Sequence, residues 1–353
     1  MRILHIAPEN FAGIPIRLVK AERNLRHDSR LITMMKSPQG YEEDICLELP
    51  LLRNSFFPTF RSIFSSTTVI DSAKRKISKR YSWKPSTPFH TLFHQCRDFL
   101  WEAKVKSTVD QLGGLDSFDV IIADGGHDLF KLQEYISTSK TPLFSIYYGS
   151  DFRTRGVFEH IHSKSKANFT FEYDHILIDP SMDFLYFPYD KPLEISLHEE
   201  KNEFIISHSP TNRKAKGTDR ILEVLYQLAS EFTFRIDLIE GVSHQESLRR
   251  KAQSSLFIDQ IGELGYGVSS LEALSLGVPT AVELLPDFEK HLGKHPFYVL
   301  HSNTLFNDIR KTLHSIQKNE YNPQMGIQWV KDIHSTTKIV ERYLAKINDV
   351  LYL

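Results

Sequence analysis

The stretch Asp259-Gln-Ile-Gly-Glu-Leu-Gly-Tyr-Gly-Val-Ser-Ser-Leu-Glu-Ala-Leu-Ser-Leu-Gly-Val-Pro-Thr-Ala-Val282 decides how this chain reads. The apolar run at 255–258 just before it suits a short buried strand. Gly262, Gly265 and Gly267 break that strand, and apolar residues then return at helical spacing at Val268, Leu271, Ala273, Leu274 and Leu276. Gly277 stops the helix and Pro279 forbids its continuation, so 278–282 reads as the next strand. A glycine-rich loop between strand and helix points unpaired backbone N–H groups and the positive end of a helix dipole at an anion, most often a phosphate. Glu272 falls about one and a half turns into the helix, on the face that looks back over the loop mouth. Its carboxylate suits a sugar diol, accepting from both hydroxyls at once. Phosphate beside ribose reads as a nucleotide; a packing helix with a surface glutamate is the plain alternative.

Outward from this motif, 203–208 reads as a strand and a helix runs through Ile221, Leu222, Val224, Leu225 and Leu228. The turn between them carries Arg213, Lys214, Lys216, Gly217 and Thr218. Such a turn can grip a diphosphate, each charge-assisted contact contributing roughly 1.5 to 3 kcal/mol. Thr218 stands where it would cap the helix and touch phosphate. Strand 234–239, helix 243–252, strand 296–300 and helices at 303–317 and about 324–349 continue the alternation. His244, near a helix start, receives no role.

The N-terminal half opens in the same style. Residues 2–7 suit a buried strand, and a loop with Asn10 and Gly13 comes next. An amphipathic helix then runs through Ile16, Leu18, Val19, Ala21 and Leu25, before a strand at 31–34. The stretch 40–87 is irregular, with Phe56, Phe57, Phe60 and Phe64 ahead of Lys74, Arg75, Lys76, Lys79, Arg80 and Lys84, the last interleaved with Tyr81 and Trp83. No acidic residue stands between Asp71 and Asp98. This reads either as a solvated helix face or as a surface for anionic lipid or a polyanionic acceptor. Thr87-Pro88 starts a helix with Phe89, Leu92, Phe93, Cys96, Phe99 and Leu100 on one face. Strand 118–123 ends in Asp124-Gly-Gly-His-Asp128, which puts His127 in a loop at the carboxyl edge. Strand 143–148 leads to Gly149-Ser-Asp-Phe-Arg153, where Ser150 or Asp151 caps the next helix. Residues 176–178 read as a further strand, and Pro188-Tyr-Asp-Lys-Pro192 as a linker.

At 353 residues, 41% hydrophobic and 25% charged, the chain suits two globular domains. A formal charge of −1 gives no global attraction to nucleic acid, which is not expected as a partner. Cys46 and Cys96 are too few for a disulfide framework or a cysteine metal site. No close Asp-x-Asp pair occupies a plausible loop, so no metal and no cofactor are expected. The opening apolar run is too short for a signal peptide and no stretch approaches a membrane-spanning length, which predicts a cytoplasmic protein. The first turn lacks Gly-x-Gly-x-x-Gly, against a nicotinamide-dependent dehydrogenase.

Tyr266-Gly-Val-Ser-Ser-Leu-Glu-Ala-Leu-Ser-Leu-Gly-Val-Pro279 resembles the donor-site signature of retaining glycosyltransferases with two Rossmann-like domains (GT-B), group 1 or family 4-like. That signature is roughly Glu-Pro-Phe-Gly, three variable residues, Leu-Glu-Ala-Met-Ala, then Gly-x-Pro. The resemblance makes Glu272 the ribose-binding glutamate and puts Gly265, Tyr266, Gly267 and Val268 against the donor. The family's first glutamate falls on Leu264, a departure for which either Glu263 or Asp259 compensates or the donor sugar is held differently. Arg213 and the Lys216-Gly217 pair match the residues that neutralise the leaving diphosphate. Gly13 matches a glycine loop near donor and acceptor, His127 a histidine near the donor sugar and the acceptor that would be catalytic with Arg213 and Lys216, and Gly149, Ser150, Asp151 and Arg153 a loop facing the interdomain cleft.

The implied fold is α/β: an acceptor domain at 1–190 with an insertion at about 40–87, and a donor domain at 191–335 facing it across a cleft. A terminal helix at 336–353 would return to the first domain. The implied reaction is transfer of a sugar from a nucleotide-sugar to a glycan, lipid-linked or other hydroxyl acceptor, in cell-envelope polysaccharide synthesis. It would proceed with retention, and the N-terminal domain would lean on an anionic membrane through 74–84. A nucleotide-sugar epimerase and a degenerate, non-catalytic nucleotide or glycan binder are the alternatives.

Overall fold

The buried apolar runs become parallel strands, as expected of sequences without the alternation that a half-solvated sheet needs. The structure is a computed structural model and describes residues 1–38, 40–51, 80, 82–149, 151–190, 203–262 and 265–352. Expectations placed on Phe56, Phe57, Phe60, Phe64, Lys74, Arg75, Lys76, Lys79, Tyr81, Ser150, Lys191, Pro192, Glu263 and Leu264 lie outside the described residues. The chain divides into two compact units. One contains the described residues up to Pro188 together with those from Thr336 onward; the other is Tyr189–Ser335.

In the first unit β1 (Arg2–Ala7), β2 (Asp28–Thr33), β3 (Ile45–Cys46), β4 (Val120–Asp124), β5 (Leu143–Tyr147), β6 (Asn168–Thr170) and β7 (Asp183–Phe184) form one sheet in the order β3-β2-β1-β4-β5-β6-β7. Every pairing is parallel, with Leu4 opposite Ile121 and Ile122 opposite Phe144. In the second unit β8 (Ile205–His208), β9 (Arg235–Leu238), β10 (Leu256–Ile258), β11 (Thr280–Glu283) and β12 (Tyr298–Leu300) run parallel in the order β12-β11-β10-β8-β9. Strand order reverses between β1 and β4 in one sheet and between β8 and β10 in the other. Open α/β sheets bind ligands in the crevice outside the carboxyl ends of their strands at such reversals. The loops after β8 and β10, which carry the two motifs quoted above, meet at that point.

Four readings need correction. Residues 176–178 belong to the helix Tyr173–Ile178; the strand is the three-residue β6, whose two polar members, Asn168 and Thr170, hide it from a search for apolar runs. The helix Pro286–Leu292 was missed, because its seven residues are too few to establish a period. The long terminal helix is two, Pro323–Ile333 and Thr336–Leu351, parted at His334 and Ser335. The helix Pro88–Gln111 begins as read, with Thr87 Oγ1 accepting from His90 N at 3.2 Å. Its conspicuous apolar face, however, looks outward: Phe89 is 68%, Leu92 57%, Phe99 74% and Leu100 59% exposed. The core takes the opposite face, through Trp101, Val105 and Val109.

The helix Thr336–Leu351 packs on the helix Ile14–Asn24 within the first unit. Tyr343, fully buried, donates its hydroxyl to Glu22 Oε1. Glu22 also accepts from Ser29 and faces His5 Nε2 at 3.1 Å, while His5 Nδ1 lies 2.8 Å from Asp124 Oδ2. Asp124 in turn accepts the hydroxyl of Tyr148. Burial alone would lower the His5 pKa, but the two carboxylates outweigh it and raise it to about 10. His5 is therefore a buried imidazolium strung between two buried anions. Among the described residues no helix is long and apolar enough to cross a membrane.

Candidate functional site

The second unit gathers its charge at the carboxyl ends of β8 and β10. Asn212 caps the short helix Arg213–Lys216 by accepting from Ala215 N at 3.1 Å, and Gly217 ends it in the left-handed region at φ 66°. A Cβ on Gly217 would stand 2.5 Å from Ile261 O, so only glycine lets the two loops touch. The closeness aims Lys216. Its Nζ donates to Asp259 Oδ1 at 3.0 Å and to Gln260 Oε1, and a Cβ on Gly267 would lie 3.4 Å from it.

Asp259 is fully buried. Its Oδ2 accepts Gly267 N at 3.0 Å and Ser270 Oγ at 2.6 Å, capping the helix Val268–Ser275. Burial would raise this carboxyl, yet Lys216 and the two donors hold it below the usual carboxylate range. The helix end that sequence reading gave to a phosphate thus already holds a carboxylate, with Lys216 above it.

Glu272 lies nearby on the same helix with only 6% of its surface exposed. Oε2 accepts from the buried Lys251, and Oε1 is 2.8 Å from Nε2 of His244. Burial pushes the Glu272 carboxyl up, and Lys251 with His244 brings it net down. The sequence reading passed over His244 and Lys251. The signal for Lys251 was present but weak: a lysine following two arginines, one position before the helix ends.

Several predicted donor residues do other work. Thr218 is fully buried with its hydroxyl 2.8 Å from His208 Nε2, while His208 Nδ1 donates to Ile258 O at 2.8 Å. The hydroxyl is committed inward, to His208. Tyr266 is a core residue, stacked on Phe288 at 5.5 Å and beside Phe297 and Trp329, with its hydroxyl 3.1 Å from His334. Gly265 accepts from the Gln260 amide, and Val268 is half-buried at the helix start. Arg213 is exposed and forms a two-point pair with Glu240, Nε to Oε1 at 2.8 Å and Nη2 to Oε2 at 2.5 Å.

In the first unit the loop after β4 buries His127. Its Nδ1 donates to Asp128 O at 2.5 Å and its Nε2 faces Lys131 Nζ at 3.0 Å. Burial first, then the positive charges of Lys131 and Arg155, hold the imidazole well below its ordinary pKa. The ring is neutral and both of its nitrogens are already engaged by neighbours. Asp151 accepts from the backbone N–H groups of Tyr148, Gly149 and Phe152, and so shapes the turn. Arg153 is tied to Glu172 at 2.7 Å and to Asp174 at 2.6 Å. Gly149, at φ 137°, leaves room for that network, since a Cβ there would stand 3.2 Å from Glu172 Oε1. Gly13, at φ 67°, starts the helix Ile14–Asn24, and a Cβ there would meet the ring of Tyr41 at 2.8 Å.

Two units, each with a parallel sheet flanked by helices, define the fold of the GT-B glycosyltransferases, and solved structures place the chain there. Sucrose-phosphate synthase from Thermosynechococcus elongatus superposes with a TM-score of 0.63 at 10% identity, covering 100% of this chain and 99% of that one. An α-glucosyltransferase in complex with UDP and a 13-mer DNA gives 0.57 at 8% identity, with 100% of both chains covered. A glycosyltransferase from Rickettsia africae gives 0.56 at 11% identity, covering 99% of this chain and 98% of that one. No family model and no curated protein matches the sequence. The expectation that excluded nucleic acid on net charge does not follow from the fold, because one of these structures is itself a DNA complex.

Proposed function

We propose that the protein is a glycosyltransferase that binds a nucleotide-sugar at the β8–β10 edge of its second unit and transfers the sugar, with retention, to a hydroxyl acceptor. The observation that carries this reading is the Lys216 ammonium, held by Asp259 and Gln260 at the mouth of the helix Val268–Ser275 where the strand order reverses. A fixed cation at that point is what a departing diphosphate needs, because a donor already in place costs no reorganisation as charge develops. Arg213, exposed and able to leave Glu240 at little cost, adds the second positive charge. Glu272 then meets the ribose through the oxygen it shares with His244. The leaving diphosphate itself takes the acceptor proton, and the two cations stand in for a metal ion.

The acceptor is proposed to be a glycan or lipid-linked hydroxyl held by the first unit, in contact with an anionic membrane. Support for the membrane contact comes from the outward strip Phe89, Leu92, Phe99 and Leu100, together with the exposed Lys84 and Lys104. A second reading, a nucleotide binder without catalysis, is favoured by the internal partners of Arg213, Lys216 and Glu272. A thermal-shift panel of UDP, GDP, ADP and CDP and their sugar conjugates, repeated with Lys216→Ala, separates these outcomes. A ligand at about 100 times its Kd stabilises by roughly 2.7 kcal/mol. A selective shift that the variant loses supports the donor site, and sugar transfer with the stabilising conjugate separates enzyme from binder. No shift with any nucleotide overturns both readings.

A further inference from the structure

The first unit holds a second concentration of positive charge that none of these roles uses. At the carboxyl edge of β4 and β5, Arg155 donates Nε to Gly156 O at 3.1 Å and Nη2 to Gly125 O. No carboxylate pairs with it among the described residues, and its remaining nitrogen has no partner there. Its guanidinium lies 5.1 Å from the centre of the Phe158 ring. Lys131 Nζ lies 4.7 Å from that same ring and 5.0 Å from the ring of Trp83. Trp83 is pinned to this segment, with Trp83 N donating to Val157 O at 2.7 Å. Two cations therefore share one aromatic plate, and His127, neutral, sits against Lys131.

The neighbouring carboxylates are engaged elsewhere, Asp128 also facing His160 Nε2 at 3.2 Å, and of the two Asp151 still acts on Arg155 through its charge. Asp128 accepts from the backbone N–H groups of Leu129, Tyr135 and Ile136, and Asp151 from those of Tyr148, Gly149 and Phe152. A half-buried guanidinium bonded only to carbonyl oxygens is incompletely compensated. Such a group gains more than a solvated one from meeting an anion.

We propose that Arg155 and Lys131, on the Phe158 and Trp83 rings, form a binding site for an anionic group, a phosphate ester or a sugar carboxylate, carried by the acceptor. Arg155 supplies a planar fork and Lys131 a point charge, a pair that fits either oxyanion. That the anion belongs to an acceptor rests on the transferase reading above; its binding does not.

The test uses the full chain carrying Lys216→Ala, which removes the cation proposed for the donor site, and follows tryptophan emission. Glucose 1-phosphate and glucuronate are titrated separately, at constant ionic strength. The expected result is saturation with at least one of them, abolished as a signal by Trp83→Phe and weakened about ten- to a hundredfold by Arg155→Met. The stronger probe names the anion. Because Arg155 also ties down two carbonyls, Lys131→Met serves as the second variant, and it should weaken the same probe without changing the far-ultraviolet circular dichroism. No saturation with either probe, or saturation that ignores both substitutions, overturns the proposal. The nucleotide panel stands or falls separately, since the two experiments read different units.

Discussion

Replacing Lys216 with methionine keeps most of its apolar stem and removes the charge, which leaves the fully buried Asp259 carboxylate without its cation. Breaking one side of a buried ion pair costs about 3 to 5 kcal/mol. Two features favour the low end. Lys216 retains 13% side-chain exposure, and Asp259 keeps its hydrogen bonds from Gly267 N and Ser270 Oγ. The expected loss is therefore about 3 kcal/mol for the second unit. Asn at position 259 still accepts both hydrogen bonds without carrying charge, so Lys216→Met/Asp259→Asn should recover about 2 kcal/mol of that loss.

The pH dependence has a definite sign. In the native protein the Asp259 pKa is depressed, so its contribution is present above the unfolded pKa and is lost as pH falls through the folded one. Without Lys216, burial raises this carboxyl, and the variant's deficit should narrow from about pH 7 to about pH 4 as the group protonates. Urea unfolding followed by fluorine NMR of fluorotryptophan-labelled protein supplies the assay, because Trp329 reports the second unit and Trp83 and Trp101 the first. A single variant within about 0.5 kcal/mol of the native protein, or a double variant no better than the single, refutes the reasoning.

Two further outcomes are expected. Nitrogen NMR of His5 should show a doubly protonated ring at about pH 8, and first-unit stability should fall as pH rises through the folded pKa of about 10; a neutral ring at that lower pH removes the buried imidazolium. Leu92→Asp/Phe99→Asp should lower partition onto vesicles containing anionic lipid by about tenfold or more, with little change in melting; unchanged partition, or a dimer that the substitutions dissociate, counts against the membrane contact.

The fold was legible because its signals are local. Parallel strands such as β1, β4 and β10 are continuous apolar runs, and Gly277 with Pro279 punctuates the helix between β10 and β11 where it was read. What escaped is non-local. Spacing alone does not say which face of a doubly apolar helix meets the core, and Trp101 with Val105 took the helix Pro88–Gln111 the other way. Likewise, motif order put Tyr266 and Thr218 on the donor, while packing against Phe288 and the hydrogen bond to His208 draws both inward. Lys216 and Glu272 were found by position, but their partners Asp259, Gln260, Lys251 and His244 come from separate loops and helices. Only the assembled sheet brings those residues together.

The tie between Tyr343 and Glu22 spans 321 positions of sequence, and it bears on how the chain folds as it is made. All of Tyr189–Ser335 is synthesised before the helix that finishes the first unit. Domains generally fold as units while synthesis proceeds from the N-terminus. Here the later unit is ready first. Until then Glu22 and the groove beside the helix Ile14–Asn24 wait uncovered, so the interval of greatest exposure to chaperones and proteases falls on the half of the protein that emerged earliest.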